Sequence, residues 1–198
     1  MAFDSNFQEA VGIAISNPFG IGNSKVHNIN FSGYVDSVAY GAWKRELFDE
    51  VGYFDEKLLR NQDDEFHYRA KSKNKKIYQD SEIKLWYYPR NSFTGLIKQY
   101  FQYGLFKPMV LYKVRSEMKI RHLVPSIFFL YLMLLPLYFI YPYMLIPLMF
   151  YIMLDIYFSF NFSKKYLIKI YLLFVYPAIH LSYGFGFILG LFKILNKK

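Results

Sequence analysis

Three carboxylates stand side by side at Asp63, Asp64 and Glu65, with Asn61 before them and Phe66, Tyr68 and Arg69 after. Clustered acids are what general-base chemistry needs, and their crowding should raise the pKa of at least one. Asn61 is a good helix N-cap. The spacing therefore predicts a helix that opens here, with the acids in its first turn facing free N–H groups and the positive dipole end. A rigid element would then hold them in place. The same pattern also reads as helix punctuation alone: Asn61 as cap, acids in the first turn, Lys71 and Lys73 in the last. Spacing does not separate the two readings.

The elements that must position these acids follow from composition and pattern. The 198 residues suit one domain with a moderate core plus an appendage. Charged residues make up 20% of the chain beside 54% hydrophobic ones, and the two are unevenly spread: charges concentrate before Arg121, apolar residues after it. Cysteine is absent, which excludes a disulfide framework and any Cys-based metal site or nucleophile. The net charge of +9 sits largely beside apolar runs, so membrane lipids and topology signals explain it and nucleic acid is not an expected partner. No nucleic-acid-binding motif is present. Residues 1–16 include Asp4 and Glu9 and lack a sustained apolar core, so no signal peptide is read there.

In chain order, a short helix or strand up to Ile15 is expected to precede a loop from Ser16 to Asn30. Gly20-x-Gly22 lacks the third glycine of a dinucleotide fingerprint and the Lys-Ser/Thr of a P-loop, so it reads as a flexible loop. Tyr34–Tyr40 reads as a strand, and Lys44–Val51 as a helix with Leu47, Phe48 and Val51 inward and Gly52 as its stop. The acidic helix should end near Lys73–Asn74. Strands are expected at Lys75–Gln79 and Ile83–Tyr88, then a helix from Ser92 to Tyr103 that breaks or bends at Gly104. Residues 107–122 mix Lys107, Lys113, Arg115, Lys119 and Arg121 with apolar side chains, the pattern of a basic helix lying on a membrane surface.

Leu123–Leu154 carries no charge and runs for about 32 residues, too long for one span of roughly 20. Prolines interrupt it, so a hairpin of two helices is expected, turning near Tyr141-Pro142-Tyr143. Asp155 then falls close to the membrane interface. Ile170–Phe192 is a third apolar run that either spans or folds back around Gly184–Gly186. Basic residues place the segment up to His122 and the Lys164–Lys165 loop on the cytoplasmic face; a full third span would leave Lys193 outside, against that rule.

Taken together, several segments resemble the C-terminal half of family 2 glycosyltransferases of the GT-A fold, of the membrane-attached succinoglycan-biosynthesis type. Residues 41–56 contain Val51-Gly52-Tyr53-Phe54-Asp55-Glu56, similar to that family's acceptor-side segment. Residues 60–69 resemble its Glu-Asp motif, with Gln62 in place of the Glu, Asp63 matching the Asp, and Arg69 at the expected later position. Tyr87-Tyr88-Pro89-Arg90 and residues 99–104 resemble the segments that follow. Gln99-x-x-Gln102-Tyr103 departs from the Gln-x-x-Arg-Trp of processive members at its last two positions. Residues 180–186 resemble the tail of the group.

The resemblance implies an α/β fold class. Residues 1–106 would be the acceptor-side part of a GT-A domain, 107–122 the interfacial helix, and 123–198 a helical membrane region with two or three apolar segments. It implies a multi-pass cell-membrane enzyme, catalytic part cytoplasmic, that moves a sugar with inversion from a nucleotide-sugar to a polysaccharide or lipid-linked acceptor. Asp63 would be the general base. Asp64, Glu65, Arg69 and Trp43 would support it or bind acceptor, and Gln99, Gln102 and Tyr103 would contact the donor diphosphate or product. Trp43 and Trp86 either stack on sugars or pack in the core; His67 and His180 read as packed or hydrogen-bonded residues. The family also implies Mg²⁺ or Mn²⁺ held by an Asp-x-Asp, a motif this sequence does not contain. The chain is thus expected to be incomplete without an N-terminal nucleotide-binding half or partner polypeptide. The alternative is a non-catalytic membrane scaffold or partner subunit derived from such an enzyme.

Overall fold

A computed structural model describes residues 1–22, 30–38, 40–113 and 119–196. The described chain is mostly helical, with one small sheet. Helix α1 (Asn6–Ser16) starts because the Ser5 side chain accepts from the Gln8 N–H at 3.2 Å, while Gln8 Oε1 accepts from the Asp4 N–H at 2.7 Å. Asn17 ends it and caps a short turn of helix, α2 (Pro18–Ile21), by accepting from the Gly20 N–H. The expected loop is therefore helical up to Ile21, and residues 23–29 of that stretch lie outside the described residues.

Strand β1 (Gly33–Val35) pairs antiparallel with β2 (Ile77–Gln79), setting Tyr34 opposite Tyr78. Both are shorter than their patterns suggested. The Ile83–Tyr88 segment forms no strand; Ile83, Leu85, Trp86 and Tyr88 are exposed, and alternation without a facing layer supplies no burial to hold a third strand. The full α/β domain is thus not seen among the described residues.

Helix α3 (Arg45–Val51) stops at Gly52, whose φ of 85° favours glycine and whose N–H bonds the Phe48 carbonyl. Helix α4 (Gln62–Ser72) carries the three acids in its first turn. Helix α5 (Phe93–Lys113) runs straight through Gly104 and Pro108. Gly104 is there for contact, not for a bend: a Cβ on it would lie 2.1 Å from the Tyr183 carbonyl oxygen. A separate surface helix over 107–122 is not seen among the described residues. Residues up to Lys113 continue α5, Arg115 lies outside the described residues, and Ile120 already begins α6 (Ile120–Leu134).

After α6, two 3₁₀ turns at Leu135–Phe139 and Pro142–Met144 make the hairpin bend, with α7 (Leu145–Asn161) returning. Helix α8 (Tyr166–Leu195) is unbroken, so the fold-back around Gly184–Gly186 does not occur. Three helical stretches, Ile120–Phe139, Pro142–Asn161 and Tyr166–Leu195, are long and apolar enough to cross a membrane.

The main core joins α1, α5 and α8 through Val11, Ala14, Leu96, Tyr100, Leu172 and Tyr176, among others. Small residues let α5 and α8 touch backbone to backbone. A Cβ on Gly186 would sit 2.2 Å from the Phe101 carbonyl oxygen, and one on Gly190 2.4 Å from that of Leu105. Replacing Gly186 with Val should therefore force the two helices apart. The expected cost is at least about 3 kcal/mol, read as a lowered melting midpoint of the detergent-solubilised protein; an unchanged midpoint would contradict the backbone contact.

Candidate functional site

The acid helix is held by packing on both flanks. On one side, Phe66 lies in an aromatic cluster with Trp43, Phe48 and Phe54, at ring-centroid distances of 5.2, 5.2 and 4.9 Å. On the other, Tyr68 meets Val110 of α5 and Leu58 in a second, smaller core. Asn61 does not cap the helix with its side chain. It adopts a left-handed φ of 61°, and its amide donates to the Tyr103 carbonyl of α5 at 3.2 Å. Its contribution is to tie the start of α4 to α5.

The three acids have three environments. Glu65 is buried, 2% exposed, and accepts from Arg69 Nε at 2.8 Å; its other oxygen is buried with no hydrogen-bond partner. Arg69 spends its remaining N–H groups on the carbonyls of Val51, Gly52 and Tyr53 at the end of α3. This pair locks α3 to α4, and Glu65 points into the protein rather than to the cleft that Asp63 and Asp64 line. Asp64 is half-buried. Lys107 Nζ donates to its Oδ2 at 2.7 Å and the Ser37 hydroxyl to its Oδ1 at 2.9 Å. Burial alone would raise the Asp64 carboxyl, but the Lys107 charge and these hydrogen bonds hold it below its usual value. Asp63 is exposed and makes no ion pair with a described residue; its Oδ1 accepts the Asp64 N–H at 2.9 Å. Solvent reaches it, yet enough protein surrounds it that desolvation, together with the neighbouring Asp64 charge, pushes its carboxyl up.

His67 is fully buried beneath the acids, with Nδ1 3.2 Å from the Ser37 hydroxyl and Nε2 unpartnered. Because Ser37 gives its proton to Asp64, Nδ1 must be the donor to Ser37, which fixes the tautomer. Burial keeps the imidazole below its usual pKa. Asp36 steadies the same end of the fold: hydrogen bonds from Lys119 and Lys71 bring its carboxyl down to about 2.

Asp63 and Asp64 open on a broad cleft of about 2410 Å³, also lined by Trp43, Trp86, Tyr103 and Lys107. Trp86 is 77% exposed, so it does not pack in a core. Trp43 does pack, edge-on to its aromatic neighbours, while reaching the cleft wall. Gln99 is bonded within the protein, accepting from Arg90 and donating to the Tyr103 hydroxyl at 2.8 Å. Gln102 accepts from Arg60 at 3.0 Å. These two glutamines are engaged within the protein, and of the three expected donor-side residues Gln99 and Tyr103 line the cleft that Asp63 faces while Gln102 does not. His180, as expected, is hydrogen-bonded, between the Tyr151 hydroxyl and the Phe19 carbonyl. Asp155 is buried between helices and accepts from Ser159.

Sequence reasoning missed Ser37 and Lys107. Ser37 had no signal. Lys107 had one: a lone lysine four residues after Tyr103, on the helix face that also carries Val110. The residues present do not fit a divalent cation. Among the described residues no three His, Asp or Glu side chains are arranged to hold a metal ion, and two of the three acids already face cations.

A stretch of 122 residues, 61% of the chain, is 32% identical to the succinoglycan biosynthesis protein ExoA of Rhizobium meliloti (strain 1021). The match covers 37% of that protein, so the chain spans little more than a third of the relative's length. No family model and no solved structure matches the chain.

The environments of the acids predict opposite outcomes for two substitutions. Arg69→Met leaves Glu65 as a buried, uncompensated charge and should cost about 3 kcal/mol in urea unfolding. Asp63→Asn, at an exposed unpaired position, should change stability by less than about 0.5 kcal/mol. Equal losses would show that Asp63 is structural.

Proposed function

We propose that this chain carries the acceptor-side, membrane-attached part of a family 2 glycosyltransferase of GT-A type. In this reading it acts at the cell membrane, catalytic part cytoplasmic, and transfers a sugar with inversion from a nucleotide-sugar to a polysaccharide or lipid-linked acceptor. The similarity to a succinoglycan biosynthesis protein and three membrane-length apolar helices support the setting. The observation that carries the chemistry is the contrast between two adjacent carboxylates. Asp64 is hydrogen-bonded at both oxygens, while Asp63 faces the cleft with no cation paired to it among the described residues.

Asp63 accepts the proton of the acceptor hydroxyl as that oxygen attacks the anomeric carbon and the nucleoside diphosphate departs from the opposite face. A raised pKa suits this base, since it brings proton affinity nearer the working pH. Tyr103, Trp43 and Trp86 line the path by which acceptor reaches Asp63. The Mg²⁺ or Mn²⁺ that the resemblance implies would act on the donor diphosphate. Donor binding falls to a nucleotide-binding half or partner polypeptide.

The test is incorporation of label from a panel of radiolabelled nucleotide hexoses into lipid and polysaccharide fractions. Membranes would carry the chain together with its candidate partner polypeptides. Asp63→Asn should lower transfer by about 10²- to 10⁴-fold while the protein stays inserted. Transfer that is indifferent to Asp63→Asn would refute the base assignment. Transfer that is indifferent to the whole chain would favour the scaffold reading.

A further inference from the structure

We infer that Lys107 is the positioning residue that separates the roles of the two adjacent carboxylates: its ion pair takes Asp64 out of the chemistry and leaves Asp63 as the proton acceptor. This rests on the function proposed above and deepens it.

The placement of Lys107 is the first argument. Its side chain is 8% exposed, beside the buried Val110 and Leu111 of the same helix, and its ammonium lies 2.7 Å from Asp64 Oδ2. The same ammonium sits 5.4 Å from the Tyr68 ring centroid and 3.5 Å from the Tyr68 hydroxyl. A buried ammonium is costly unless paired, and a pair of apolar residues would join α4 to α5 at no such cost. Lys113 and Lys119 pair instead with Asp55 and Asp36, so of these three lysines it is Lys107 that reaches Asp64.

The second argument is what Asp64 would do without it. Two carboxylates on consecutive residues, both ionisable and both facing one cleft, titrate as a pair and share protons between them. The acceptor hydroxyl would then meet a mixture of protonation states. With Lys107 and Ser37 hydrogen-bonded to its two oxygens, Asp64 stays charged, whereas neither a cation nor a hydroxyl holds Asp63 among the described residues. Its fixed negative charge in turn acts on Asp63 next to it. The other groups facing the pair are His67 on α4, Tyr103 on α5, Arg60 before α4, His122 and Arg121 at the start of α6, and Tyr183 on α8. His67 is buried and neutral, so among the groups nearest to Asp64 it is Lys107 that supplies a direct counter-charge.

The experiment uses the full chain in two settings. In detergent, ¹³C carboxyl resonances of labelled aspartate follow Asp63 and Asp64 through a pH titration, with no substrate needed. In membranes with the partner polypeptides, the acidic limb of the transfer rate is recorded with whichever nucleotide hexose of the panel supports transfer. Lys107→Met should raise the Asp64 midpoint by about one pH unit or more and move the acidic limb upward with it. Asp64→Asn should move the limb downward, because Asp63 loses its charged neighbour. The double variant, which contains a neutral pair in place of the ion pair, should follow Asp64→Asn and carries the test if Lys107→Met alone fails to fold. A Lys107→Met enzyme whose rate falls evenly at every pH, with the Asp64 midpoint and the limb where the wild type has them, would overturn the inference and leave Lys107 a structural tie. Full activity in Asp63→Asn would overturn the base assignment itself, whatever Lys107 does.

Discussion

The close backbone contact of α5 with α8 is the constraint on which the rest depends. Gly104, Gly186 and Gly190 remove the side chains that would separate the two helices, and Pro108 packs its ring against Gly190. Once α5 is fixed there, both of its other faces are committed. Leu96 and Tyr100 turn into the core with α1, and Tyr103, Lys107 and Val110 turn toward α4. The carboxylates are thus referenced to a membrane-length helix through one rigid intermediary.

Environment, not residue type, divides the labour among the acids. Asp63, Asp64 and Glu65 are neighbours on one helical turn, but successive helical residues point about 100° apart. Glu65 turns inward to Arg69, Asp64 sideways to Lys107, and Asp63 outward to the cleft. The Glu65–Arg69 pair fixes the axial position of α4 against α3, and the Asp64–Lys107 pair fixes it against α5. Two ion pairs on different faces leave the third acid little freedom to move with the backbone.

Local features were legible in the sequence where local physics decides them. The acid helix, its first-turn carboxylates, the Gly52 stop and the hairpin bend near Pro142 all follow from capping, dipole and proline rules that act within a few residues. What the sequence hid was tertiary. Gly104 reads as a breaker until a second helix is known to need its missing side chain. Lys107 reads as a surface lysine until an acid from 43 residues earlier is brought to it. Asn61 reads as a cap, and its side chain went to α5 instead. Of the eight expected site residues, the structure brings Asp63, Asp64, Trp43 and Tyr103 to one cleft with Gln99, whose hydrogen bonds are all internal. Glu65 and Arg69 became a lock, and Gln102 a brace.

The apolar load is distributed unevenly, and this sets where the cleft stands. The two hairpin spans are almost wholly unburied within the protein, whereas the apolar stretch of α8 is half buried. Exposed Ile127, Leu130, Met133, Phe139, Tyr143 and Met149 cover the hairpin, so a hydrocarbon surround is the environment that matches it. Helix α8 is instead half buried, mainly against α5, the helix that Asn61 and Asp64 tie to the acid helix, with α6 and α1 beside it. Because α6 begins at Ile120, one residue after the Lys119 that pairs with Asp36, the charged end of the cleft lies beside the first turn of a membrane-length helix. The far wall is apolar, with Phe128, Phe150 and Leu154 from the hairpin lining the same cleft as Asp63 and Asp64. Polar chemistry at one end and an apolar wall at the other therefore belong to one continuous space, and the α5–α8 contact is what keeps its two ends in register.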